Sequence, residues 1–166
     1  MPSTPSAKSS NILKSSGLTI KETDMAEKKG YKTGVLWQDF QHGQLIELLN
    51  QLQKAKGEDQ DEAMFNYTVG FLAMYVNHHF KLEEAYMKTY EFEGQDDHRS
   101  AHKKLIQAIK KFREEHREYS EEASEKLINE LREWIMSHIM GMDQELGAFI
   151  IEQEKSQPED TEKKDS

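Results

Sequence analysis

The segment HHFKLEEAYMKTYEFEGQDDHRSAH, from His78 to His102, holds four of the chain's seven histidines. They stand beside carboxylates and among Tyr, Phe, Met and Leu. Neutral imidazole is a good ligand for iron, zinc, copper or nickel, so the first chemistry to test is metal binding. Cysteine is absent. That excludes disulfides, thiolate metal sites, iron–sulfur clusters and thiol catalysis. Any metal must be held by His, Asp or Glu.

Spacing sorts the histidines. A helix advances about 100° per residue, so residues i and i+4 share a face. His79 has Glu83 at i+4, whereas His78 has Leu82 there. His79 is therefore assigned inward as a ligand, and His78 to the flank of a bundle or a helix seam. His98 and His102 form a second i, i+4 pair. His138 lies in an apolar stripe with Leu131, Trp134 and Met142, and His42 sits one turn before Leu45 and Ile46. His116 is too far from His102 to share a metal, about 21 Å along a helix. It reads as a half-exposed helix end beside Glu114 and Glu115. A buried polar group without a partner costs a few kcal/mol. One buried histidine is easily satisfied by a carbonyl; His42, His79, His98, His102 and His138, spread over the inner faces of packed helices, are not. A shared metal satisfies them together.

Four helical patterns position these residues. They span about Phe40 to Lys56, stopping at Gly57; about Asp61 to Tyr90; about Asp96 to Arg117; and a last one opening after Ser120, an N-cap residue followed by Glu121 and Glu122. The second carries the stripe Phe65, Thr68, Leu72, Tyr75, His79, Leu82, Tyr86 and Tyr90. Its aromatic and Met positions, like those of the other helices, read as ordinary core. The prolines, Pro2, Pro5 and Pro158, all lie outside these patterns. Connections are short, so neighbouring helices should run antiparallel. The expected fold is an all-α, up-down-up-down four-helix bundle over residues 31–151. Residues 1–30 read as a polar, mobile arm and residues 152–166 as a disordered acidic tail.

The net charge of -9 argues against nucleic acid or an anionic membrane as partner. No stretch is apolar enough to span a membrane or to act as a signal peptide. The expectation is a cytoplasmic protein.

The pattern resembles the hemerythrin family in its bacterial single-domain form. Gly34, Asp39, Gln41 and His42 match the family's opening motif in GVLWQDFQH. His79, Phe80 and Glu83 match its His-Phe followed by Glu. His98 and His102 match its His-x-x-x-His, and Trp134, His138 and Asp143 match the Trp, His and Asp of its last helix. These fragments stand in the right order and spacing over roughly residues 31–151. Departures are local. The family's Tyr-Gly-Tyr-Pro turn reads Tyr90-Glu91-Phe92-Glu93, which puts that turn's shape in doubt. Gly43 replaces a usual Lys, and the arm is longer.

The resemblance implies a non-heme di-iron site in the bundle core. His98, His102 and His138 would bind one iron and His42 and His79 the other, with Glu83, Asp143 and an oxo or hydroxo group bridging them. The second iron would keep an open position, where dioxygen would be held as hydroperoxide and released. Phe80, Trp134, Ile135 and Met142 are the candidate apolar lining of that pocket, with Ile135 where the family often has leucine. The implied activity is oxygen carriage, storage or delivery to an oxygen-consuming enzyme, rather than catalysis, by a monomer or weak oligomer. An oxygen or redox sensor and a di-iron peroxidase or nitric-oxide-handling enzyme are the alternatives. The spacing of His138 and Asp143 does not follow from periodicity. Five residues place them about 140° apart on an ideal helix; a metal bridge can draw Asp143 in, and a local wide turn near Gly141 is one way for the helix to accommodate it.

Overall fold

The computed structural model describes residues 29–156. A short 3₁₀ turn, Lys29–Tyr31, leads into helices α1 (Leu36–Ala55), α2 (Asp61–Thr89) and α3 (Gln95–Glu115). The fourth arm of the bundle is one continuous helical run made of α4 (Glu121–Trp134), a π-helical segment (Ile135–Met142) and α5 (Asp143–Ser156). No strand occurs among the described residues. None of their helices is long and apolar enough to cross a membrane.

Local chemistry explains most boundaries. Ser120 caps α4, its hydroxyl accepting from the Ala123 N–H at 3.1 Å, and Glu121 and Glu122 oppose the positive end of the helix dipole. Chain reversal after α1 uses Gly57 at φ 80°, a conformation open to glycine. Helix α1 starts at Leu36, four residues before the periodicity does, because its first turn is not set by an apolar stripe. There Asp39 accepts from the Thr33 N–H (2.6 Å) and hydroxyl (3.1 Å) and from the Gly34 N–H (3.3 Å), closing the turn ahead of the helix. At the other end α5 continues through Ser156, so residues 152–156 are helical rather than tail. Residues 29–30 of the expected arm belong to the 3₁₀ turn, and the rest of the arm, 1–28, and the remaining tail, 157–166, lie outside the described residues.

Contacts along the helices fix the topology. The start of α1 meets the second half of α2 at His42 and His79, and the start of α2 meets the end of α3 at Phe65 and Phe112, 6.1 Å between rings. The start of α3 meets the middle of the fourth run at His98 and His138, and the end of α3 meets its start at His116 and Lys126. Neighbours are therefore antiparallel, the up-down-up-down arrangement.

Two apolar clusters bracket the histidines. The larger includes Leu45, Leu49, Leu52, Phe65, Leu72, Phe112, Leu127, Leu131 and Ile139. The smaller holds Val35, Met87, Leu146 and Ile150. Each full burial of such a side chain contributes roughly 1.5–3 kcal/mol. The burial pattern of α2 departs from the expected stripe beyond His79. Phe80, Glu83 and Met87 are buried, while Leu82, Tyr86 and Tyr90 are only partly so. The inner face follows His79, Glu83 and Met87 at steps of four, and the apolar residues beside them form its edge.

Candidate metal centre

Seven side chains meet between the two clusters. His42 and Glu83, His102 and Asp143 are wholly buried, and His79, His98 and His138 nearly so. Close approach of the chain segments makes this possible. Gly147 of α5 packs against Thr33 and Gln38, and a methyl group there would collide with Thr33. Gln38, one turn before His42, is thereby held inside, where its Nε2 donates to Glu83 Oε1 at 2.8 Å.

The π-helical segment resolves the five-residue spacing of the last pair. Its i→i+5 bonding brings residues five apart into line. His138 Nε2 consequently lies 3.2 Å from Asp143 Oδ1. The wide turn expected near Gly141 extends over all of Ile135–Met142.

Within the centre both carboxylates face two ways. Glu83 directs Oε1 at His79 Nε2 (3.2 Å) and Oε2 at His102 Nε2 (3.1 Å) and His98 Nε2 (3.5 Å). Asp143 directs Oδ2 at His42 Nε2 (3.1 Å) and Oδ1 at His98 and His138 Nε2 (3.1 and 3.2 Å). Two potential ligand groups result: His98, His102 and His138 with both acids, and His42 and His79 with both acids. All five rings point Nε2 inward.

Several outer nitrogens have acceptors. His79 Nδ1 faces Gln41 Oε1 at 2.8 Å, His42 Nδ1 the Tyr31 carbonyl at 3.4 Å, and His102 Nδ1 Glu84 Oε1 at 3.4 Å. Donation outward from Nδ1 leaves the Nε2 lone pair free to ligate. Glu83 Oε2, both Asp143 oxygens and the Nε2 atoms of His98, His102 and His138 are buried without a hydrogen-bond partner. Buried lone pairs converging from imidazole and carboxylate fit a metal centre, and the donor set is compatible with iron as with other first-row transition metals.

The electrostatics show the same tension. Burial pushes His79 down to about 4 and lowers His138. Burial also opposes charge on His98, but the Asp143 and Glu83 carboxylates beside its Nε2 prevail and raise it to about 9. His42 is raised in the same way, chiefly by Asp143 against burial. Burial and the Asp143 charge work against ionised Glu83, yet His79, His102 and His98 hold it down at about 2. Asp143 is held well below the usual carboxylate range by His138, His42 and His98, again against burial.

His78 is exposed and His116 half-buried at the end of α3, 3.5 Å from Lys126 Nζ. The expected lining residues are placed unevenly. Phe80 stacks on His102 at 3.7 Å between ring centres and Trp134 on His138 at 3.9 Å, both in the three-histidine group. Phe80 also touches His79 at 5.8 Å. Ile135 is buried in the main cluster and Met142 ends the π segment. The ring stacked on His79 is Tyr75, at 4.9 Å and 26°. Sequence reasoning treated Tyr75 as core and passed over Gln38. For Gln38 a signal existed, its i, i+4 relation to His42.

Comparison with known proteins agrees with this geometry. The family model described as the hemerythrin HHE cation binding domain matches residues 33–150. Bacteriohemerythrins of Pseudomonas aeruginosa strains LESB58 and UCBPP-PA14 are each 25% identical over 111 residues, covering 67% of this chain and 71% of the relative. The match takes in every histidine and carboxylate of the buried centre, and the chain belongs to the hemerythrin family.

Proposed function

We propose that the centre holds two irons and binds dioxygen reversibly. The observation that carries this reading is the imbalance around two shared acids. His98, His102 and His138 would hold one iron, and only His42 and His79 the other, with Glu83, Asp143 and a bridging oxo or hydroxo group spanning the pair. Three histidine nitrogens would leave the first iron with fewer free positions than the second, which only two histidines would hold. Two ferrous irons at such a site supply the two electrons that reversible dioxygen capture requires.

The protein's part is to fix that asymmetry. Gln38 orients Glu83, and Gln41 orients the ring of His79. The apolar clusters on both sides keep bulk water out. Di-iron bundles of the Glu-x-x-His type present four Glu and two His. Here neutral imidazole dominates, which favours the ferrous state and a site that releases what it binds. The reading is thus a carrier or store rather than an enzyme, delivering dioxygen in the cytoplasm to an oxygen-consuming enzyme.

The test is an absorption spectrum of the iron-loaded, reduced protein under nitrogen, in air, and after purging, with iron assayed alongside. Two irons per chain and a visible band that comes with air and leaves on purging are expected. A band that never reverses would favour a sensor or an enzyme.

A further inference from the structure

Around the His42/His79 side of the centre, the outer polar atoms are partnered in turn. Gln41 takes His79 Nδ1, the Tyr31 carbonyl faces His42 Nδ1, and Gln38 takes Glu83 Oε1. One hydroxyl there is left over. Tyr75 lies one turn before His79 on the same face of α2, is 5% exposed, and its hydroxyl is buried without a hydrogen-bond partner. A buried phenol O–H without an acceptor carries a desolvation cost that nothing in the described chain offsets. Its ring stacks on His79 at 4.9 Å.

A recess of about 270 Å³ opens at this place on the seam of α1 and α2, lined by Gln41, Gln44, Phe71, Tyr75 and His79 among others. It reaches the two-histidine side from outside. Trp37 Nε1 is a second unpartnered donor near His79. Trp37 packs instead on Tyr86, at 5.2 Å, within the small apolar cluster.

We propose that Tyr75 is a hydrogen-bond donor to the exogenous small ligand that binds on the His42/His79 side, and that the recess is that ligand's way in. The proposal rests on the open position argued above. An anionic or strongly polarised diatomic or triatomic ligand supplies the acceptor that the hydroxyl lacks, and the donated hydrogen bond favours the bound over the free ligand.

The experiment uses azide, which brings no proton of its own. The full-length oxidised di-iron protein and its Tyr75→Phe variant are titrated with azide by absorption, after their iron contents are matched. The variant should bind azide about tenfold more weakly with unchanged iron. In the unaltered protein, the infrared band of bound azide should shift between H₂O and D₂O. Equal affinities would overturn the proposal, and so, whether or not the variant folds, would the absence of that isotope shift in the unaltered protein. An intense visible band in the azide-free protein that Tyr75→Phe abolishes would make Tyr75 a ligand, and would overturn its role as donor. If the unaltered protein holds two irons but binds no azide, the open position itself is refuted and the proposal falls with it.

Discussion

Asp61 at the start of α2 and Glu83, about six turns later, are both buried carboxylates, but their surroundings differ in kind. Asp61 is 2% exposed and fully engaged. Its Oδ2 accepts from the Gly57 N–H at 2.9 Å and the Tyr119 hydroxyl at 2.8 Å, and its Oδ1 from the Ser124 hydroxyl at 3.1 Å. These neutral donors tie the α1–α2 turn to the start of α4. Glu83 has one such donor, Gln38; otherwise it meets ring nitrogens, and its Oε2 has no hydrogen bond. Burial of an acid is thus no mark of a ligand. A structural acid completes its hydrogen bonds within the protein, whereas Glu83 keeps lone pairs free beside other lone pairs, the arrangement a metal site needs.

The sharpest way to break this contrast is to alter each acid. Glu83→Gln alters one of the two carboxylates common to both potential ligand groups, and bound metal should fall to less than half of the wild-type amount, measured by elemental analysis of the purified protein. His79→Ala should lose metal as well, whereas His78→Ala should retain it. Equal losses in the two histidine variants would show that position on the inner face does not decide ligation. Asp61→Ala should do the reverse of Glu83→Gln. It leaves the Tyr119 and Ser124 hydroxyls without their acceptor and should lower stability by roughly 3 kcal/mol, read from denaturant midpoints, with metal stoichiometry unchanged.

A smaller effect separates the metal-free from the metal-loaded centre. In the metal-free protein His98 is raised to about 9, above its unfolded value of about 6.5. Its charge then contributes stability that is fully present below pH 6.5 and is lost as pH rises through 9. Chelated protein should therefore weaken over that window, by roughly 3 kcal/mol at most. Metal-loaded protein, whose His98 has already given up its proton, should not. Parallel denaturant titrations at pH 6.5 and 9 decide this, and identical slopes with and without metal would detach His98 from the site.

Much of this was legible in sequence because helical spacing converts directly into shared faces. The i, i+4 pairs His79/Glu83 and His98/His102 could be placed without knowing the fold, and so could the Ser120 cap. Two kinds of feature resisted. The π segment is invisible to a 3.6-residue period, so Asp143 looked off the face until the family resemblance placed it. Gln38 and Tyr75 are ordinary residue types whose role depends on what faces them across a helix seam. The inner face of α2 beyond His79 was misjudged for a related reason. Leu82, Tyr86 and Tyr90 are apolar and were given the face, but they are only half-buried at its edge, while Glu83 and Met87, at steps of four from His79, lie inside.

The weakest predicted effect concerns the turn between Glu83 and His98, where the chain departs from its family's pattern. Glu91 stands at the position of the family's glycine and has φ 54°, the left-handed region. The Phe92 N–H bonds back to the Met87 carbonyl at 2.9 Å, closing the helix end in the manner of a Schellman motif. Phe92 then packs on Phe149 at 5.0 Å between rings and joins the Met87 cluster. Glycine accepts this conformation freely and glutamate does not. Glu91→Gly should therefore stabilise the protein by about 1 kcal/mol, seen as a higher denaturant midpoint. Metal content should stay as it was, since the turn's anchor is Phe92 and its backbone bond rather than the residue at its tip. A variant that is more stable but binds metal less tightly would show that the strained turn helps hold His98 and His102 in register with Glu83. Local strain at Glu91 would then be part of the metal centre.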